Sequence, residues 1–239
     1  MPDTLPILCY VTDRHSLRVA PGENPIDALL GKIEAAAAAG DDWIQLREKD
    51  LSGKDCAALA RNALRRVVKT ASIDNRSGSI SAPRLPLPRI LVNDRLDVAL
   101  AERAGGVHLG ENSLPVKEAK RLIDAVMPGS NVGNGFLAGV SCHSLEAAQS
   151  AAGAGADYIF FGPVFATPSK AAFGAPQGLD LLAKVCRAVT IPVLAIGGIT
   201  LENAAACFAA GASGIAAIRL FQNAADLNQL VTRLRQLSS

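Results

Sequence analysis

The stretch GPVFATPSK, residues 162–170, ends in two hydroxyls and an ammonium: Thr167, Ser169 and Lys170. Such a set holds a phosphate, or it makes an ordinary solvated turn. Arg47 and Lys49 stand in WIQLREKD, residues 43–50, and Asn93 and Asp94 follow the apolar run ILV. Brought together, Arg47, Lys49 and Lys170 beside Asn93, Thr167 and Ser169 form a receptor for an anion the size of a di- or triphosphate. Arginine forks two oxygens and the lysines act as point charges. In isolation, Arg47, Glu48, Lys49 and Asp50 also read as a solvated loop of mixed charge. A second phosphate candidate is AIGGIT, residues 195–200, where Gly197 and Gly198 let backbone N–H groups approach an anion ahead of a helix. The same two glycines would serve a tight turn.

These residues lie far apart in sequence, so a fold must gather them. Short apolar runs alternate with helical patterns along the chain: ILCYVTD, WIQLRE, ILVND, GVHLG, AGVSC, YIFFGPV, PVLAIGG and GIAAIRL read as strands. NPIDALLGKIEAAAAAG, DCAALARNALRRVVKT, LPVKEAKRLIDAVM, SLEAAQSAAGAG and LENAAACFAAG read as helices, several closed by glycine. Eight strands alternating with helices predict a single (β/α)8 barrel spanning residues 1–239, with a doubly wound open sheet as the competing architecture. Residues 71–89, rich in Ser, Pro and Arg and without a period, read as a long surface loop on the face opposite the active-site end.

In a barrel the strand C-termini converge on one mouth. Gln45, Arg47, Lys49, Asn93, Asp94, Ser141, His143, Thr167, Ser169, Lys170, Gly197, Gly198, Ile218 and Arg219 all fall there, as do His108 and the following Glu111, Asn112 and Ser113. His108, between Val107 and Leu109, reads as a packed supporting residue.

Composition limits what this mouth serves. The 239 residues are 49% apolar and 19% charged, with a net charge of +2, as in a folded α/β protein. So small a net charge argues against nucleic acid or an anionic membrane as partner and leaves small phosphorylated molecules held by local cations. The five cysteines are scattered, without C-x-x-C spacing, which argues against a disulfide framework or a structural zinc site. The N-terminus reads as neither a signal peptide nor a membrane span, so a cytoplasmic location is expected. Association into a homo-oligomer is left open.

WIQLREKD, VNDRLDVALAERAGGVHLG, GVSCHS, FGPVFATPSK and AIGGITLENAAACFAAGASGIAAI, in that order and across nearly the whole chain, resemble the thiamine phosphate synthase and thiazole tautomerase superfamily. The resemblance implies a (β/α)8 barrel and, in the synthase branch, joining of hydroxymethylpyrimidine pyrophosphate to thiazole phosphate with release of pyrophosphate. It implies that Gln45 and Ser141 contact the pyrimidine and that Arg47, Lys49, Asn93 and Lys170 hold the pyrophosphate. Asp94 would bind Mg2+, and Thr167, Ser169, an N–H of Gly197–Gly198, Ile218 and Arg219 would surround the thiazole phosphate. Catalysis would then be charge stabilisation by Arg47, Lys49 and Lys170, without a nucleophilic Ser or Cys.

Two positions depart from the synthase pattern. Ser113 stands where a second metal-binding aspartate is usual, leaving Glu111 as a substitute, and Arg219 stands where a small hydroxyl residue is usual. Serine at 113 is similar to the tautomerase branch, in which His143 would transfer protons. A non-catalytic barrel that binds a phosphorylated ligand is a third reading.

Overall fold

The computed structural model describes residues 5–74, 87–128, 135–167 and 175–237. Strands β1 (Ile7–Val11), β2 (Trp43–Leu46), β3 (Arg89–Asn93), β4 (Gly106–Leu109), β5 (Leu137–Cys142), β6 (Tyr158–Phe161), β7 (Val193–Ile196) and β8 (Gly214–Ala217) run parallel in sequence order. β8 pairs back onto β1 and closes the barrel. Around it lie α1 (Pro25–Ala39), α2 (Gly53–Asp74), α3 (Leu96–Ala101), α4 (Val116–Val126) and α5 (Leu145–Gly153), then α6 (Gly178–Ala188), α7 (Leu201–Ala209), α8 (Arg219–Gln222) and α9 (Leu227–Gln236). The architecture is the expected (β/α)8 barrel. No described helix is long and apolar enough to cross a membrane.

The strands read as unbroken apolar runs because both of their faces are buried. One set of side chains fills the barrel interior: Cys9, Val11, Trp43, Leu91, Tyr158, Phe160, Leu194 and Ala216. The alternate set, including Leu8, Ile44, Ile90, Val107 and Ile159, packs under the helices. Hence the inward series that ends in Trp43 and Leu91 continues, two residues on, into Gln45 and Asn93. The strand period delivers polar groups to the mouth.

One turn recurs four times on the opposite face. α1, α3, α5 and α7 each run into a residue with positive φ, namely Gly40, Arg103, Gly155 and Gly211. The next residue's N–H then bonds a helical carbonyl five positions back: Asp41 to Ala36, Ala104 to Ala99, Ala156 to Ala151 and Ala212 to Cys207. This helix ending satisfies carbonyls that would otherwise be orphaned. The residue after that donates to the preceding strand (Asp42 to Leu8, Gly105 to Ile90, Asp157 to Ala138, Ser213 to Val193), fixing the start of each even-numbered strand.

Two expected boundaries are corrected. α2 continues to Asp74, so the irregular segment expected from residue 71 begins later; residues 75–86 lie outside the described residues. β8 stops at Ala217, and Arg219, expected within the strand run, instead opens α8. The fully buried Phe221 anchors that helix turn against Tyr10.

Candidate active site at the barrel mouth

The loop after β2 alternates in charge, and the structure separates its two signs. Glu48 is buried, accepting from the Thr12 hydroxyl (2.7 Å), the Arg14 amide and Arg14 Nη1 (2.9 Å). Asp50 is forked by the Arg14 guanidinium and touches His15 Nε2 at 3.1 Å. The guanidinium holds the Asp50 carboxyl well below the usual carboxylate range. Arg47 and Lys49, which alternate with these acids, make no ion pair with any described residue. Their own backbone is pinned, because the Arg47 amide donates to Thr12 Oγ1 at 3.0 Å. The solvated mixed-charge loop is therefore a sorted one, in which the acids bind the β1 loop and the cations are left for another anion.

Next to these cations runs a chain of directed hydrogen bonds. Gln45 Nε2 donates to Asn93 Oδ1 at 3.0 Å, and Asn93 Nδ2 donates to Asp94 Oδ2 at 2.7 Å. Asp94 Oδ1 accepts from the Gly110 amide at 3.2 Å and from the Ser113 hydroxyl. Asp94 itself sits at φ +61°, a left-handed conformation that costs a non-glycine residue energy and that functional sites often retain. It does not cap the following helix, whose N-cap is Arg95. Glu111 is exposed, and Ser113 rather than Glu111 reaches Asp94. Among the described residues no three His, Cys, Asp or Glu side chains gather as a metal cage. Asp94 with the Ser113 hydroxyl instead fits a magnesium that keeps several waters and takes most of its remaining ligands from a substrate phosphate.

A second chain starts in the core. Tyr158 lies fully buried over Gly139, where an added Cβ would stand 2.0 Å from the ring. The Tyr158 hydroxyl meets His108 Nδ1 at 3.1 Å, and His108 Nε2 meets the half-buried Ser141 hydroxyl at 2.9 Å. Burial lowers the His108 pKa to about 3, so the ring is neutral. His143 is half-buried, and its Nδ1 is bonded to the Gly162 carbonyl, so it ties the end of β5 to the start of the β6 loop.

That β6 loop crosses the β7 turn. Phe165 N–H donates to the Gly197 carbonyl at 3.0 Å, and Cβ atoms at Gly197 and Gly198 would collide with Pro163 (2.5 Å) and the Ala166 carbonyl (2.6 Å). Both glycines also have positive φ, so close packing and backbone conformation each demand glycine here. Thr200 and Asn203 form a capping box on α7. α8 opens without a side-chain cap at Ile218, and Arg219 is exposed beside it. Thr167 is the last described residue of the β6 loop; the predicted Ser169 and Lys170 lie outside the described residues.

A family model described as thiamine monophosphate synthase matches residues 87–221. A thiamine-phosphate synthase of Methanoculleus marisnigri is 42% identical over 200 residues, covering 84% of this chain and 83% of its own length. That of a Roseiflexus species is 39% identical over 220 residues, covering 92% and 80%. The solved thiamine phosphate pyrophosphorylase of Pyrococcus furiosus superposes with a TM-score of 0.73 at 29% identity, covering 97% of this chain and 95% of that one. This chain belongs to the thiamine monophosphate synthase family.

For a member of that family, the structure brings together Gln45, Asn93, Asp94 and Ser113 by direct bonds, and His108 with Ser141 by another. It leaves the side chains of Arg47 and Lys49 without an ion-pair partner among the described residues. Sequence reasoning missed Arg14, which disarms the two acids of the β2 loop, and Tyr158, which holds His108. The alternation of Arg47, Glu48, Lys49 and Asp50 was the available signal for the first: a period of two at a strand end sends the two signs to different sides.

Proposed function

We propose that this single-domain barrel condenses hydroxymethylpyrimidine pyrophosphate with thiazole phosphate to give thiamine phosphate and pyrophosphate. The observation that carries this reading is the sorted β2 loop. Arg47 and Lys49 have no ion-pair partner among the described residues and follow Gln45 of the Gln45–Asn93–Asp94 chain, while the neighbouring acids are bound elsewhere. An enzyme whose first step is departure of pyrophosphate needs that arrangement.

In this reading the C–O bond between the pyrimidine methylene and pyrophosphate breaks, the pyrophosphate leaving with the electron pair. The thiazole nitrogen then donates its lone pair to the methylene cation to form the C–N bond. Arg47, Lys49 and Lys170 stabilise the charge on the leaving group, Asn93 orients it, and Gln45 and Ser141 hold the pyrimidine. Thr167, Ser169, the Gly197–Gly198 turn, Ile218 and Arg219 surround the thiazole phosphate. Asp94, with the Ser113 hydroxyl bonded to it, would hold a magnesium ion, which would neutralise part of the pyrophosphate charge. His143 serves in this reading as a brace for the β6 loop. The free cysteines suit the reducing cytoplasm in which we place the enzyme.

The test is pyrophosphate release from the two substrates, with magnesium and with chelator. Magnesium-dependent release together with thiamine phosphate supports the synthase. A folded protein that binds the substrates and releases nothing excludes it.

A further inference from the structure

The two hydrogen-bond chains of the mouth have fixed directions, and their ends differ in sign. In the first, Asp94 is a carboxylate and accepts only. Asn93 must therefore turn its NH2 toward Asp94 Oδ2, which presents Asn93 Oδ1 to Gln45. Gln45 must answer with its own NH2, at 3.0 Å. That leaves Gln45 Oε1, on a side chain only 1% exposed, as an acceptor with no partner among the described residues.

In the second chain, the Tyr158 phenol is fully buried, and the acceptor it meets among the described residues is His108 Nδ1. Were Nδ1 protonated, the phenolic O–H would be buried without an acceptor, which folded proteins avoid. The phenol therefore donates to Nδ1, the neutral ring carries its proton on Nε2, and that proton goes to Ser141 Oγ. The Ser141 O–H is left to donate outward. The chains are neighbours, since Asn93 and His108 are register partners on β3 and β4.

We propose that the buried Tyr158 and His108 are positioning residues that fix Ser141 as a hydrogen-bond donor, while Asp94 through Asn93 fixes Gln45 as an acceptor, so that the mouth is keyed to an aminopyrimidine. Such a ring offers nitrogen lone pairs to the serine and an amino N–H to the glutamine. An oxo group in place of the amino group would set two acceptors face to face at Gln45, and a site built to pair a group rejects an analogue that leaves it unpaired. This deepens the synthase reading and rests on it for the identity of the ring.

Imidazole 15N NMR of the intact protein tests the tautomer directly, with His108→Gln assigning its signal among the three histidines. The expected spectrum shows a protonated Nε2 and a bare Nδ1; a protonated Nδ1 overturns the proposal. Tyr158→Phe then removes the donor that sets the tautomer. Calorimetry should show hydroxymethylpyrimidine pyrophosphate binding about tenfold more weakly, the scale of one hydrogen bond, with inorganic pyrophosphate unchanged. Weakening of both ligands alike, or of neither, overturns the proposal, and if Tyr158→Phe does not fold, the wild-type spectrum decides. A wild-type protein that passes both tests yet forms no thiamine phosphate refutes the synthase reading and leaves this one standing.

Discussion

The two ends of the barrel use the same residue types in opposite ways. At the bottom, Arg235, Lys120 and Arg89 are each bonded to the protein. Arg235 donates to the Pro6 and Gly40 carbonyls and to Asp42 (2.8 Å), Lys120 straddles both oxygens of Asp157 at 3.1 Å, and Arg89 donates to the Gly135 carbonyl. Asp42 and Asp157 in turn accept from the amides of Leu8 and Ala138, the second residues of β1 and β5. At the mouth, Arg47 and Lys49 have no ion-pair partner among the described residues although acids lie next to them in sequence. A paired cation is structure; a cation kept unpaired while its neighbours' carboxylates are tied off is reserved for something that is not protein.

The largest expected effect separates those two uses. Arg47→Ala removes no ion pair with a described residue, so the melting temperature should stay within about 1 °C, within what neutral surface substitutions do. Loss of one charged donor to a departing anion should lower kcat/KM for the pyrophosphate substrate by about 10²–10³-fold, measured in the synthase assay. Arg235→Ala should do the reverse. It strands Asp42 and two carbonyls and should cost about 1–3 kcal/mol in denaturant unfolding, with turnover of the folded enzyme unchanged. Equal activity losses in the two variants would break the contrast.

How much of this could be read in the sequence follows the same division. All eight strands were legible, because a strand buried on both faces leaves a compact apolar run, rich here in β-branched and aromatic residues where the apolar runs of α1 and α7 are rich in alanine. Where an apolar run continued past the strand, as at GIAAIRL, the pattern could not separate strand from the short helix that Phe221 anchors. The meeting of Gln45, Asn93 and Asp94 was legible too, since residues ending parallel strands must meet, whereas Ser169 and Lys170 lie outside the described residues. Its wiring was not. Arg14 lies 36 residues from Asp50 and Tyr158 lies 50 from His108, and only the barrel register places either pair in contact.

Asp41 provides the next test, smaller than Arg235 and opposite in sign. It occupies the turn position that is alanine in the other three copies (Ala104, Ala156 and Ala212) and is 1% exposed, with neither carboxylate oxygen hydrogen-bonded among the described residues. Burial first, then the nearby Asp42, raises its pKa, against the weaker pull of Arg235 and Lys32. With its folded pKa above the unfolded one, the folded state holds the extra proton, so stability falls as pH rises above the ordinary carboxylate range. Asp41→Ala should therefore stabilise the protein by about 1–2 kcal/mol near neutrality, with a gain that grows with pH. His108 tilts the curve the other way: its folded pKa of about 3 lies below the unfolded value, so its contribution is complete above about pH 6.5 and is lost on acidification. Asp41→Ala should leave a steeper loss of stability in acid than the wild type shows, and an unchanged pH profile of stability would refute the buried, unpaired state of Asp41.

The finest test compares two strained residues, one at each end. Asp94 at the mouth and Arg103 at the bottom are the non-glycine residues with positive φ among the described residues, at +61° and +53°. Arg103 stands where Gly40, Gly155 and Gly211 stand in the sister turns, so its strain serves no bond that glycine would lose. Arg103→Gly should gain about 0.5–1 kcal/mol, or roughly 1–4 °C, and leave kcat/KM as it was. Asp94→Gly relieves the same kind of strain but strips the carboxylate that orients Asn93, Ser113 and the Gly110 amide, so any gain in melting temperature should come with loss of magnesium-dependent turnover. Strain at the bottom is then a removable accident of sequence, whereas strain at the mouth holds an oxygen where the chemistry requires it.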